Sequence, residues 1–92
     1  TAYPVQVSGL AGVPSTATAV AVNITAIGPT GVGYLEAYPD GTTRPIASTV
    51  NYTPGGTTAN FQVVALGSNG RLDLYSASSP VNVAIDVVGY LN

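Results

Sequence analysis

The sequence predicts an all-β domain, an antiparallel β-sandwich or jelly-roll-like barrel of about seven short strands. Three observations predict it. Apolar and polar residues alternate at period two, which is typical of strands with one buried face. Glycine or proline interrupts almost every stretch, and no window shows the apolar period of a helix. The 92 residues, 46% of them apolar, suffice for one core, so residues 1–92 form a single domain.

Turn signals separate the strands and set their order. Pro39-Asp40-Gly41 and Pro54-Gly55 are typical turns, because proline presets φ and glycine tolerates a positive φ. The predicted strands are Pro4–Ser8, Ala19–Ile27, Gly33–Tyr38, Ile46–Tyr52, Thr58–Leu66, Arg71–Ser76 and Val81–Tyr90.

Asn69-Gly70 lies between two apolar runs and predicts a two-residue hairpin turn. Such a turn would pair Ser68 with Arg71. The core face would then hold Phe61, Val63, Ala65, Leu72 and Leu74, and the outer face Gln62, Val64, Leu66, Asp73 and Tyr75.

The outer faces of the predicted sheets are more apolar than a solvated surface usually is. Besides Val64 and Leu66, the second faces of the other strands add Ala19, Ala21, Ala84 and Val88. We expect a neighbouring copy, a second domain or a ligand to cover these faces. Ordinary surface apolarity is the alternative.

The low charge excludes several classes of partner and cofactor. Only 7% of residues are charged, and the two basic residues are Arg44 and Arg71, too few for nucleic-acid binding. Without histidine or cysteine there is no zinc site, and no Asp-rich loop predicts calcium. No cofactor, no metal and no membrane insertion are expected, since no apolar run is long enough to cross a bilayer.

The residues do not predict an enzyme. No histidine or cysteine is present to act as base or nucleophile, so the serine and threonine hydroxyls lack an activating partner. The acids are Glu36, Asp40, Asp73 and Asp86. Sheet pairing could bring two of them together as a hydrolytic pair, which is the alternative.

Asp86 interrupts an aliphatic strand, so we expect its carboxylate to be partly buried and satisfied by a hydrogen bond or ion pair. Arg44, Arg71, Asn23 or a tyrosine hydroxyl could be the partner. Asn23 also sits among aliphatic residues and is expected to be a hydrogen-bonding strand residue. A binding role is the alternative for Asp86.

Tyrosines beside carboxylates and arginine are typical of glycan sites, where rings pack on sugar C–H groups and polar groups bind hydroxyls. Alternation places Tyr34, Glu36 and Tyr38 on one face of a strand, and Asp73 with Tyr75 on one face of another. The predicted binding residues are Tyr34, Glu36, Tyr38, Asp40, Arg44, Asp73 and Tyr75. Alternatively, the tyrosines only cover the sheet, and the lack of tryptophan favours that view.

Four blocks of sequence carry a family resemblance: residues 13–26, residues 33–41 with Arg44-Pro45, residues 48–52, and the closing residues 85–90. Together they resemble a β-domain of secreted actinobacterial, Streptomyces-like proteins, often attached to hydrolases. The resemblance implies an exported, non-catalytic accessory domain and supplies no ligand. The chain carries no signal peptide, and Thr1 is interpreted as a mature or excised start.

The expected function is therefore that of a secreted or cell-surface accessory module that binds carbohydrate or cell-wall polysaccharide. The alternative is a structural, self-assembly or spacer module of an extracellular protein, with a homo-oligomer or a neighbouring domain as its partner.

Overall fold

The computed structural model describes residues 2–10, 12–44, 48–77 and 81–92, and all regular structure within them is β. The strands are β1 Ala2–Gln6, β2 Ala19–Ile27, β3 Gly33–Pro39, β4 Val50–Tyr52, β5 Thr57–Ala65, β6 Arg71–Ala77 and β7 Asn82–Leu91. They form two antiparallel sheets, a four-stranded one of order β1-β6-β3-β4 and a three-stranded one of order β5-β2-β7.

This arrangement confirms the predicted all-β class with seven strands in two antiparallel sheets, compatible with a small sandwich. The predicted strand Ile46–Tyr52 begins partly outside the described residues, and β4 covers only its end. The first strand starts and ends two residues earlier than predicted.

The core lies between the two sheets and is built from one face of each strand. In β2 every second residue is buried, so Val20, Val22 and Ile24 are shielded completely from solvent. Leu35 of β3 and Leu72 of β6 meet them from the opposite sheet and are equally buried. Burying a side chain of this size contributes roughly 1.5–3 kcal/mol, so these residues supply much of the stability of a chain without disulfides.

The β-hairpin predicted at Asn69-Gly70 is wrong: β5 and β6 lie in different sheets and do not pair, and the loop between them is one residue longer than predicted. The Gly70 N–H donates to the Gly67 carbonyl at 2.9 Å, and the Gly67 N–H donates to the Arg71 carbonyl at 2.8 Å. Gly67, not Ser68, therefore faces Arg71 across a three-residue loop that ends on Gly70 at φ 75°.

A shift of one residue exchanges the two faces of a strand. Val64, predicted to point outward, is 2% exposed in the core, while Phe61 and Val63, predicted as core, are 55% and 52% exposed. Ala65 is likewise exposed, Gln62 shares the inner face with its partner Val22, and Leu66 packs against the core. For β6 the prediction was right: Leu72 and Leu74 are buried, and Asp73 and Tyr75 alternate with them.

The loop also joins two different sheets. β5 pairs with β2, whereas β6 pairs with β1 and β3. The two strands adjoining the loop separate beyond it, one into each layer, so their inner faces meet across the core.

The outer face of the three-stranded sheet is apolar, as the small and aliphatic residues of its strands predicted. Ala19, Ala21 and Ala84 lie on it beside Phe61 and Val63. Asp86 is exposed rather than partly buried, and it lies opposite Asn23 across the strand pair. The prediction for Asp86 was wrong because this face is open to solvent, which satisfies the carboxylate.

The two long sides of the sandwich differ. On the side of β4 and β5, the Asn60 side chain donates to the Thr49 carbonyl at 2.8 Å and links the sheets. On the side of β1 and β7, a groove of about 200 Å³ separates the sheets; its lining is almost entirely apolar and includes Val5, Leu10 and Ile85. The sandwich is therefore tied on one side and open on the other.

Gly70 offers a test of the observed loop. Its φ of 75° disfavours any Cβ, and a Cβ at this position would also collide with the Ser8 side chain. We expect Gly70→Ala to lower the free energy of unfolding by about 2–4 kcal/mol, the sum of backbone strain and overpacking. Gly55→Ala is the matched control, since Gly55 has φ 78° but open space around its Cβ. Urea denaturation of the two variants measures their free energies of unfolding. Equal losses in the two variants would contradict the collision of a Cβ at Gly70 with Ser8.

Candidate functional site

The predicted binding residues gather on the outer face of the four-stranded sheet. In β3, Leu35 and Ala37 point into the core, so Tyr34, Glu36 and Tyr38 lie on the opposite face. The register places Glu36 beside Tyr75 and Tyr38 beside Asp73. Because paired residues of neighbouring strands share a face, five of the seven predicted residues lie together on two central strands.

Arg44 follows β3 and lies back over this face. Its guanidinium carbon is 3.9 Å from the centroid of the Tyr75 ring, within the range of a cation–π contact. Its Nη1 lies 3.5 Å from the Tyr34 hydroxyl and 3.4 Å from Glu36 Oε1. The hydrogen bond with Tyr34 raises the pKa of Arg44 above its ordinary value, so the guanidinium stays charged and oriented by three side chains.

Glu36 is the most deeply buried ionisable residue of the face, with 2% of its surface exposed. Among the described residues its Oε2 has no hydrogen-bond partner, and the Arg44 guanidinium pairs with Oε1. Burying a carboxylate is unfavourable unless its oxygens are paired, so the contact with Arg44 partly offsets the cost of burying Glu36. Asp73 Oδ1 is a second buried oxygen of this kind.

Asp40 and Asp73 form a carboxyl pair at the end of the face. The Asn69 amide donates to Asp40 Oδ2 at 2.6 Å, and this bond, with a weaker one from Asp73, lowers the pKa of Asp40. Burial raises the pKa of Asp73, and the hydrogen bond and charge of Asp40 raise it further. The pKa values of the two carboxyls are therefore shifted in opposite directions, that of Asp73 upward and that of Asp40 downward.

Tyr38 lies beside Asp73 across the β3–β6 pair, with 7% of its surface exposed. Burial, followed by the charge of Asp73, raises the pKa of its phenol, so the phenol stays protonated. Tyr34 and Tyr75 are less buried, with ring centroids 6.2 Å apart and planes tilted by 46°. The face thus offers two partly accessible rings and one ring that is largely covered.

Two features of this region could not be read from the sequence. Asn69 was predicted only as a turn residue, yet its amide fixes Asp40. Asn69 also lines a cavity of about 580 Å³, whose remaining walls are mainly hydroxyl, amide and backbone groups. The lining of this cavity holds neither an aromatic ring nor a charge. We therefore place the candidate site on the tyrosine face.

Asp40 and Asp73 lie close enough for each carboxyl to shift the pKa of the other. What the face can do is exchange hydrogen bonds: guanidinium N–H groups donate, and carboxylate and phenol oxygens accept.

The raised pKa of Asp73 predicts a pH-dependent stability change. The folded state binds this proton more tightly than the unfolded chain, so its contribution is present at low pH and is lost as pH rises through the folded pKa. We expect Asp73→Asn to raise Tm by roughly 2–5 °C at neutral pH and by much less near about pH 3, while its amide still donates to Asp40. Thermal melts across pH measure this. Asp86→Asn, an exposed acid, is the control, and a uniform gain at every pH would contradict the assignment.

Within the described ranges, no group of three acidic, histidine or cysteine side chains could hold a metal ion. The same residues include no helix long and apolar enough to cross a membrane. Searches against protein families, curated proteins and solved structures find no match to this chain.

Proposed function

We propose that this domain is a non-catalytic, exported accessory module that binds carbohydrate through the outer face of its four-stranded sheet. One observation carries the proposal. In a chain with only two basic and four acidic residues, one arginine and three acids converge on a single face with three tyrosines. So uneven a placement of scarce charged groups is typical of a binding site.

Arg44 is the proposed main contact with the ligand. Its side chain is 40% exposed, and only Nη1 is engaged by the described residues, so other N–H groups of the guanidinium remain for sugar hydroxyls. Tyr75 and Glu36 are positioning residues, because the Tyr75 ring packs against the guanidinium and the Glu36 carboxylate pairs with it. A donor held in place loses little conformational entropy on binding.

The charge of the face indicates which glycans fit. Glu36 neutralises Arg44, and Asp40 and Asp73 add two more acidic groups, so the face is acidic on balance. Neutral or amine-bearing polysaccharides suit such a site better than uronic acids or phosphate-containing wall polymers. The same reasoning supports hydroxyl recognition rather than anion capture by Arg44.

Affinity electrophoresis tests the proposal with three immobilised polymers: a neutral β-glucan, an amine-bearing polysaccharide and a polyuronate. We expect retardation by at least one of the first two and none by the third. Tyr75→Ala should weaken retardation at least tenfold, because Arg44 loses the ring that orients it. Tyr3→Ala is the matched control, since Tyr3 is exposed and lies on β1 away from Arg44. Absence of retardation by every polymer, or equal losses in both variants, would overturn the proposal.

Assembly is a second candidate function, favoured by a different surface. Phe61 and Val63 expose large apolar side chains on the three-stranded sheet. That surface lies on the opposite layer from Arg44, so a domain that assembles through it keeps the carbohydrate face open.

A further inference from the structure

The polar outer face of the four-stranded sheet continues beyond the tyrosines to the start of β6. Arg71 alternates with the buried leucines of β6, so it lies on the same side as Asp73 and Tyr75. It is opposite Gln6 of β1, and its Nε donates to Gln6 Oε1 at 3.0 Å. The charge of Arg71 also helps to lower the pKa of Asp40. The second arginine of the chain therefore extends the candidate site along β6.

Beside Arg71 this face meets the cavity of about 580 Å³ at the loop between β5 and β6. Gln6, which accepts from Arg71, is one of the residues that line the cavity. Asn69, whose amide donates to Asp40, is another. Binding sites for small molecules measure roughly 300–1,000 Å³, so the cavity has room for a sugar ring. The cavity and the tyrosine face are therefore parts of one continuous polar surface.

The lining of the cavity indicates an uncharged ligand that carries several hydroxyl groups. Hydroxyls both donate and accept, and five lining residues carry one: Ser8, Ser15, Thr16, Thr18 and Ser68. In the part of the chain that the structure describes, the Ser15 and Ser68 side chains make no hydrogen bond. Leu66 adds an apolar wall, which suits the C–H groups of a sugar ring. No lining side chain is charged, so a charged ligand group would find no counterion there.

The distance between the tyrosines and the cavity indicates how long the ligand is. Tyr75, which contacts Arg44, lies four residues from Arg71 on an extended strand. Because a strand rises roughly 3.4 Å per residue, the Cα atoms of Tyr75 and Arg71 are roughly 14 Å apart. One sugar ring does not reach across this distance, whereas a linear chain of several rings does.

We propose that the cavity is a second sugar subsite, and that the ligand is a linear, uncharged polysaccharide that runs along β6 from Arg44 to the cavity. This inference rests on the proposed function and narrows it to recognition of a stretch of chain rather than of one terminal sugar. Two subsites on one chain increase affinity, because the second contact is intramolecular once the first has formed. Of the polymers that suit the tyrosine face, the uncharged ones fit, since the cavity lining holds no carboxylate for an ammonium group.

Calorimetric titration with oligosaccharides of two and of six units tests the subsite. The probes are β-1,3-linked glucose, β-1,4-linked glucose and N-acetylated chitin oligosaccharides. In at least one series we expect the hexasaccharide to bind at least tenfold more tightly than the disaccharide. Ser68→Leu should lower the affinity for that hexasaccharide at least fivefold and leave the affinity for the disaccharide unchanged, because it removes a hydroxyl and fills part of the cavity. Thr57→Leu is the matched control and should change neither affinity, since Thr57 is exposed at the opposite end of β5.

Nuclear magnetic resonance of the unmodified protein provides a second readout that does not depend on a variant folding. The hexasaccharide should shift the amide signals of Ser68 and Asn69, and the disaccharide should leave them in place. Equal affinities for the two lengths, or an unchanged hexasaccharide affinity in Ser68→Leu, would overturn the subsite and leave the carbohydrate site on the tyrosine face intact. Absence of binding at both lengths in every series would overturn the proposed function and the subsite together.

Discussion

Val64→Lys is expected to unfold the domain, whereas Val63→Lys leaves it folded. Val64 is 2% exposed and lies in the core opposite Val20 of β2. An ammonium group buried there has no partner, which costs several kcal/mol against a total stability of roughly 5–14 kcal/mol for 92 residues. Val63 is 52% exposed, so its lysine remains in water and should change stability by about 0.5 kcal/mol or less.

Circular dichroism and urea denaturation of the two variants check this. The pair is closely matched, since the residues are adjacent, identical in type and in the same strand. If the Val63 variant unfolded and the Val64 variant stayed folded, the buried face of β5 would be the one that a two-residue Asn69-Gly70 turn predicts. That outcome would contradict the observed orientation of β5.

The sequence predicts strands well where alternation is unambiguous. In β2, valine and isoleucine alternate with small or polar residues, and the observed bounds, Ala19–Ile27, match the predicted ones. In β5 both faces are apolar, since Phe61 and Val63 alternate with Val64 and Leu66. Periodicity alone then cannot show which face is buried. The prediction therefore relied on a two-residue loop at Asn69-Gly70, and that loop length was wrong.

The gathering of Tyr34, Glu36 and Tyr38 on one face also follows from alternation. Their union with Asp73 and Tyr75 requires β3 to pair with β6, a contact between strands more than 30 residues apart that no local signal predicts. The stacking of Arg44 on Tyr75 depends in turn on that pairing. Asp86 was misjudged for a related reason: a residue between valines is buried only if its face is covered.

Arg44→Met is expected to lower the free energy of unfolding, because it leaves the Glu36 carboxylate buried without its cation. The loss stays below that for a fully buried pair, since the Arg44 side chain is 40% exposed and water reaches it. Glu36→Leu alone should cost less, about 1 kcal/mol or under, because the guanidinium it leaves behind can turn to solvent.

The double variant, Arg44→Met with Glu36→Leu, should recover at least half of the loss caused by Arg44→Met alone. Replacing both members of an ion pair by apolar groups removes the desolvated charge together with its partner. Urea denaturation of the four proteins closes the cycle, and strictly additive losses would contradict a direct interaction between the two residues. The double variant also separates stability from the proposed function: it should fold nearly as well as the original chain, and any polysaccharide that retards the original chain should no longer retard it. That result would fit the proposed binding role, because the ion pair would then contribute little to net stability.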